Sequence, residues 1–135
     1  DDWMDDAKRN LKRAWTKPPV WDKDEWVINY IGHPLAGAAY YNMLRSQGGT
    51  RLQSLIFSTV QSTIWEYGIE AIAEQPSIQD LFVTPLAGAV LGELAHWGTE
   101  RMRRNGFTFG EKVLVTIINP TYVLNNGFRT KNKRK

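Results

Sequence analysis

The sequence predicts an all-α fold, a compact bundle of about five helices joined by short turns. Three observations lead to this prediction. Apolar residues recur at helical spacing, capping residues and Gly or Pro breaks separate five such stretches, and no stretch alternates as a β-strand does. The 135 residues suit one domain with a modest core, and the 42% of hydrophobic residues is typical of a folded protein.

Each predicted helix is bounded by recognisable start and stop signals. Ser, Thr and Asp side chains can cap the first turn of a helix, whereas Pro and Gly interrupt or end one. The predicted helices are 2–15, ended by Pro18 and Pro19; 23–47, capped by Asp22 and ended by Gly48 and Gly49; 51–73, capped by Thr50; 78–104, capped by Ser77; and 109–118, capped by Thr108 and closed by Asn119-Pro120.

Composition divides the chain into an amphipathic N-terminal helix (1–17), a helical core (18–124) and an irregular basic tail (125–135). Much of the net charge of +3 lies in the last five residues, so the body lacks the basic face that nucleic-acid binding needs. The tail is either a solvated terminus or a contact for anionic lipid. The chain has no cysteine, which excludes disulfides and cysteine zinc sites.

The pentapeptide PLAGA occurs twice, at 34–38 and 85–89, each time within a predicted long helix. Because a proline cannot donate the usual helical hydrogen bond, we expect kinks at Pro34 and Pro85. The two copies also suggest a repeated helix pair, with the second and third helices matching the fourth and fifth.

Small residues follow each proline and leave little side-chain bulk on the helix surface. Such faces allow another helix backbone to approach closely. We therefore expect the repeats to build two kinked crossing points where the long helices meet, although an ordinary helical core with ordinary prolines would contain the same residues. The expected helix-contact residues are Gly32, Ala36, Gly37, Gly88 and Gly92.

Four ionisable residues lie in otherwise apolar or small-residue helix: His33, Glu66, Glu70 and Glu93. Few Lys or Arg residues lie near them in sequence, so we expect His33 to approach at least one of these glutamates across a helix interface. The alternative for Glu66 and Glu70 is an ordinary wet face, because Ser58 and Ser62 continue the same four-residue spacing. Asp80 also suits a capping role three residues after Ser77.

The sequence predicts no metal and no cofactor. Glu93 and His96 form an E-x-x-H pair, but the chain has only two histidines, which excludes the full ligand set of a di-iron bundle. A single metal held by Glu93 and His96 is the alternative. The chain contains no G-x-S-x-G, Walker A, H-E-x-x-H or Rossmann glycine pattern.

Residues 26–44 carry no formal charge when His33 is neutral. This uncharged stretch is barely long enough to span a membrane. Because Asn29, His33 and Asn42 make this stretch a poor span, we expect a water-soluble or peripheral domain, with interfacial insertion as the alternative.

The order of several short motifs resembles the bacterial family catalogued as domain of unknown function 3943, over roughly residues 25–125. These motifs are His33-Pro34 with Gly37, Tyr40-Tyr41-Asn42, Trp65-Glu66-Tyr67, Pro76-Ser77 with Asp80-Leu81, and Gly88 with Leu91-Gly92-Glu93. The resemblance implies that His33, Asn42, Glu66, Asp80 and Glu93 belong to the family's pattern, and that His96 does not. It also implies a Gram-negative cell-envelope protein, often a longer chain, and no particular activity.

Two functions agree with these observations. The first is a non-catalytic scaffold of the envelope, periplasmic and near the outer membrane, whose partners are other envelope proteins, further segments of its own chain and peripheral lipid, but not nucleic acid. Its structural polar cluster comprises His33, Asn42, Glu66, Glu70, Asp80 and Glu93. The second is an enzyme acting on an envelope lipid or glycan, in which His33 and Glu66, Glu70 or Glu93 are the acid–base groups.

Overall fold

The structure is a computed structural model that describes residues 2–21 and 28–129. Within these ranges no residue lies in a β-strand, and a single parallel bridge joins Val20 and Ser77. The elements are α1 (Asp2–Thr16), a π-helical turn (Ile28–Gly32), α2 (His33–Arg45), α3 (Arg51–Ile64), a π-helical turn (Trp65–Ile69), a 3₁₀ turn (Glu70–Ile72), α4 (Ile78–Asn105), α5 (Phe109–Ile118) and α6 (Pro120–Asn126). The all-α prediction is confirmed, with six helices rather than five.

Three of the predicted N-caps begin helices. Thr50 accepts a hydrogen bond from the Gln53 backbone N–H and receives the Gln53 side chain on its own N–H, which forms a complete capping box. Thr108 forms the same box with Glu111, and the Ser77 hydroxyl accepts from the Asp80 N–H. The predicted cap Asp22 and residues 23–27 of the second helix lie outside the described residues.

The stretch after Asn119 forms a sixth helix, α6 (Pro120–Asn126), which was not among the predicted helices and includes the first two residues of the predicted irregular tail. The Asn119 side chain accepts a hydrogen bond from the Tyr122 N–H, and Pro120 occupies the first helical position. Proline is favoured there because its missing N–H would have no helical partner. The Asn119-Pro120 pair therefore ends α5 and begins α6, so the boundary at 124 is too early by two residues. Residues 130–135 of the predicted tail are not described.

Helical geometry changes near Pro34 and beyond Ile64. A π-helical turn precedes α2, and Pro34 then lies in the first turn of α2, where its missing donor is least costly. The predicted third helix continues beyond α3 as a π-helical and then a 3₁₀ turn, ending at Ile72. Pro85 lies inside the continuous helix α4.

Helices α2, α3 and α4 contact one another and form the centre of the molecule. His33 lies beside Asp80, Gly37 beside Gly88 and Tyr41 beside Glu93, so α2 and α4 run parallel. Helix α3 runs antiparallel to α2 because it returns after the turn at Gly48 and Gly49. The bundle therefore has one end near His33 and another near Arg45.

The two PLAGA copies meet each other at one crossing point, rather than forming two. A Cβ atom at Gly88 would lie 2.5 Å from both Cα and C of Gly37. The Ser58 hydroxyl of α3 donates to the Gly37 carbonyl at 3.1 Å, which joins the third helix to the same crossing. The sequence thus identified the small residues correctly but not their pairing.

The other expected small-residue contacts are mixed. Gly92 packs against the Tyr41 side chain, whereas Gly32 is exposed, and a Cβ added to it would meet no atom of residues 2–21 and 28–129 within 4 Å. Gly32 therefore makes no close contact with the described helices. Ala36, one turn later, is half-buried and lines a cavity described below.

The bundle is polar inside and apolar outside. The buried residues of α3 are Ser54, Ser58 and Ser62, and the buried Glu66 continues the same row. The opposite face of α3 exposes Leu52, Ile56, Val60 and Ile64, and α4 exposes Phe82, Leu86, Val90, Leu94 and Trp97. The wet-face alternative for this row is therefore wrong, because Ser58, Ser62 and Glu66 lie on an inner face.

A conventional apolar core is small and lies away from the crossing. It consists of Met102 at the end of α4, Phe107, Val115 of α5 and Tyr122 of α6. Helix α1 buries only Ala14 and is tied to the 3₁₀ turn by the Asn10 amide, which donates to the Ile72 and Ala73 carbonyls.

Candidate functional site

A His–carboxylate cluster lies where α2, the turn after α3 and the N-terminus of α4 meet. His33, Glu66 and Asp80 each offer one ligand-type atom, and these atoms all lie within 4.8 Å of one another. The His33 Nε2 to Asp80 Oδ1 distance is 3.5 Å. The expected approach of His33 to Glu66 is therefore present, and Asp80 completes the cluster.

Glu66 is held by the N-terminus of α4. Its Oε2 atom accepts a hydrogen bond from the Ser77 backbone N–H at 3.1 Å, and the side chain is almost fully buried. Burial raises the pKa of Glu66 to about 8, against the lowering effect of the Ser77 hydrogen bond. The neighbouring carboxyl groups of Glu70 and Asp80 raise this pKa further.

A cavity of about 350 Å³ opens beside the cluster. His33, Glu66 and Glu70 contribute its ionisable lining, and the π-helical turn carries Glu66 to its wall. The buried Thr84 also lines it, and the Thr84 Oγ1 atom has no hydrogen-bond partner among residues 2–21 and 28–129. The remaining lining residues are Gly32, Ala36, Tyr40, Ser62 and Trp65.

Glu93 belongs to a different cluster at the opposite end of the bundle, so the expectation that it joins His33 is wrong. It accepts hydrogen bonds from the Tyr41 hydroxyl at 2.5 Å, from Arg45 Nε at 3.0 Å and from Arg51 Nε at 2.8 Å. Because these contacts occupy both carboxylate oxygens of Glu93, they weaken the alternative of a metal held by Glu93 and His96. His96, three residues after Glu93 in α4, is half-buried.

The other expected cluster members take separate positions. Asn42 is buried and donates its side-chain amide to the Gly92 carbonyl at 3.1 Å, so it joins α2 to α4 away from His33. Glu70 lines the cavity with Glu66. Asp80 has two roles. Its backbone N–H donates to the Ser77 hydroxyl that caps α4, and its side chain belongs to the His33 cluster.

Sequence reasoning missed Thr84, Tyr41, Arg45 and Arg51. Arg45 follows Tyr41 by four residues and therefore shares its helix face. Had the two PLAGA copies been aligned side by side as parallel helices, this face would have been placed against Glu93. Nothing in the local sequence marks Thr84 as a cavity residue.

Comparison with known proteins gives one family. The family model described as Domain of unknown function (DUF3943) matches residues 18–121, which include both ionic clusters and both PLAGA copies. No curated protein and no solved structure shows significant similarity to the chain. Because the match spans most of the 135 residues, the chain belongs to the family described as Domain of unknown function (DUF3943).

Proposed function

We propose that this domain is a non-catalytic helical scaffold of the bacterial cell envelope, and that its α2–α4 bundle is embedded in a lipid membrane. The observation that carries the proposal is the inverted burial of the bundle, with polar side chains inside and large apolar side chains outside. This proposal replaces the water-soluble domain expected from the sequence.

Apolar side chains face outward on all three helices of the bundle. Val90 and Leu94 of α4 are each 62% exposed, and Leu52 of α3 is 66% exposed. Helix α2 exposes Leu35 and Met43. Leu52, Val90 and Leu94 line one groove, and Leu35 and Met43 extend the exposed apolar surface onto α2, so this surface involves all three helices. Lipid covers such a surface on every side, whereas one docked protein covers one side.

The dimensions of α4 suit a bilayer. It is the one helix in the described ranges that is long and apolar enough to cross a membrane, and only 33% of its most apolar window is buried. A core helix of similar composition would be mostly buried. Its exposed apolar row from Phe82 to Trp97 is about 22 Å high at about 1.5 Å per residue, and the whole helix also extends into the interfacial regions.

Exposed aromatic residues mark both ends of this row. Trp97 is exposed, and the Arg101 guanidinium lies 5.9 Å from its ring centroid. At the other end Trp15, Trp21 and Trp65 are exposed near the N-terminus of α4 and the turn after α3. Tryptophan and arginine are favoured at membrane–water interfaces, which supports lipid as the covering partner.

Single-cysteine labelling tests the membrane proposal, since the chain has no native cysteine. In lipid vesicles we expect Val90→Cys to resist a charged maleimide, and Gln47→Cys, in the exposed turn after α2, to react quickly. Both variants must react fully after denaturation in detergent. Equal fast labelling in vesicles would contradict the proposal. So would protection of Val90→Cys in a lipid-free oligomer, because a second copy would then cover the helix.

The cavity supports a second candidate function, an enzyme acting on an envelope lipid or glycan. The cavity brings His33 and Glu66 to a reachable surface, as acid–base catalysis requires. The variant His33→Gln separates the two functions when expressed in place of the native chain. An enzyme would keep the wild-type melting temperature and lose its envelope phenotype, whereas a scaffold that keeps its fold would keep the phenotype.

A further inference from the structure

We infer that His33, Glu66 and Asp80 form a binding site for one divalent transition-metal ion of the Zn²⁺ type. The inference goes beyond the scaffold proposal and does not depend on the membrane. It replaces the expectation from the sequence that the chain holds no metal.

The spacing of the three side chains suits a shared cation. Zn²⁺ binds imidazole nitrogen and carboxylate oxygen at about 2.0–2.2 Å, so two neighbouring ligands of a tetrahedral ion lie about 3.3–3.6 Å apart. The His33 Nε2 to Asp80 Oδ1 distance of 3.5 Å lies in this range. The ligand-type atom of Glu66 lies within 4.8 Å of the other two.

The ligands come from three different elements and are held by the fold. His33 begins α2, Glu66 lies in the π-helical turn after α3, and Asp80 lies in the first turn of α4. The Ser77 N–H and a side-chain hydrogen bond with Glu70 hold the Glu66 carboxyl in place. Outer hydrogen bonds of this kind orient metal ligands in proteins.

A second observation points to a bound group. Thr84 is only 3% exposed, lines the cavity beside the cluster, and its hydroxyl oxygen has no hydrogen-bond partner in the part of the chain that the structure describes. Buried polar atoms are rarely left in this state. A metal-bound water in the cavity would donate a hydrogen bond to this oxygen. The cavity also gives the ion an entry path and an open coordination position.

The donor set and its charge select the type of ion. Metal ligands bind in their deprotonated forms, in which two carboxylates and one imidazole together carry a charge of −2 that a divalent cation balances. Within the described residues no Lys or Arg forms an ion pair with Glu66 or Glu70. Imidazole suits zinc and its transition-metal neighbours, whereas Mg²⁺ and Ca²⁺ prefer sites built only from oxygen.

Metal binding by the purified chain, prepared without a polyhistidine tag, tests the inference. Isothermal titration with Zn²⁺ should give one ion per chain, and Mg²⁺ at the same concentration should give none. Co²⁺ should produce a visible spectrum typical of nitrogen and oxygen ligands without thiolate, because the chain has no cysteine. Zn²⁺ should also raise the melting temperature.

Loss of an outer-shell partner weakens metal affinity about 10–100-fold. The variants His33→Ala and Glu66→Gln remove a ligand itself, so they should weaken Zn²⁺ affinity by at least this factor. His96→Ala removes the only other histidine and should bind Zn²⁺ as the wild type does. Circular dichroism verifies that each variant is folded, and Glu66→Gln keeps the side-chain volume in case His33→Ala does not fold. Absence of Zn²⁺ binding to the wild type, or loss of binding in His96→Ala alone, would overturn the site.

Discussion

Replacing Gly88 with alanine will lower the melting temperature of the domain, and replacing it with leucine will prevent the bundle from forming. The added Cβ would lie 2.5 Å from Cα and C of Gly37 and 2.8 Å from the backbone nitrogen of Ala38. These are backbone atoms, so a side-chain rotation cannot relieve the overlap. The helices α2 and α4 would have to separate at the point where both PLAGA copies meet.

The expected cost exceeds that of ordinary overpacking. Extra methylene groups in a packed core cost about 1–3 kcal/mol, and a collision with backbone is less easily relieved. We therefore expect Gly88→Ala to lose about 3 kcal/mol or more, although alanine favours the helical backbone by about 1 kcal/mol over glycine. Thermal denaturation followed by circular dichroism measures the loss.

Gly98 of the same helix provides the matched control. Its nearest neighbour to an added Cβ is the Ile118 Cδ1 atom at 3.9 Å, an ordinary contact. Gly98→Ala gains the same helical propensity without a collision, so it should keep or raise the melting temperature. Equal melting temperatures for Gly88→Ala and Gly98→Ala would mean that α2 and α4 do not cross at Gly88.

The helices were predictable because their signals are local. Thr50 and Thr108 each form a capping box with a residue three positions later, and both are visible in the sequence. The small faces at Gly37 and Gly88 were also visible, because a helix interior rarely contains glycine without a packing reason. The switch to π-helical geometry at Trp65 has no comparably clear local signal, so α3 ends earlier than expected.

The orientation of α3 could not be predicted in the same way. Helical periodicity places Ser54, Ser58, Ser62 and Glu66 on one face, but it does not say which face is inside. That choice depends on what surrounds the helix. The sequence left both a wet face and an inner polar cluster open for these residues, and the structure buries them.

The grouping of charged residues required long-range register. His33, Glu66 and Asp80 come from three elements, and only the parallel packing of α2 and α4 brings the first and last together. The sequence predicts that Glu93 joins the His33 cluster, because few Lys or Arg residues lie near Glu93 along the chain. In space Arg45 and Arg51 lie beside it, since the turn after α2 returns the chain to the same end of the bundle.

Removing the charge of Glu93 will destabilise this end of the bundle. Arg45 and Glu93 are mostly buried, with 21% and 24% of their side chains exposed, and Arg45 donates to both carboxylate oxygens. The variant Glu93→Gln leaves the Arg45 charge without its counter-ion. Breaking a fully buried pair costs about 3–5 kcal/mol, and the residual exposure here reduces the expected loss to about 2 kcal/mol.

Two comparisons isolate the buried contact. Arg51 touches the same carboxylate but is 78% exposed, so Arg51→Ala should lose less than about 1 kcal/mol, whereas Arg45→Ala should resemble Glu93→Gln. Asp5→Asn removes a carboxylate that pairs with Lys8 three residues later in α1, and because these side chains are 77% and 74% exposed, the melting temperature should hardly change. If Arg51→Ala and Arg45→Ala proved equally destabilising in thermal denaturation, burial would not set the strength of this network. The expected ranking follows from desolvation, because a charge that water can reach loses little when its partner is removed.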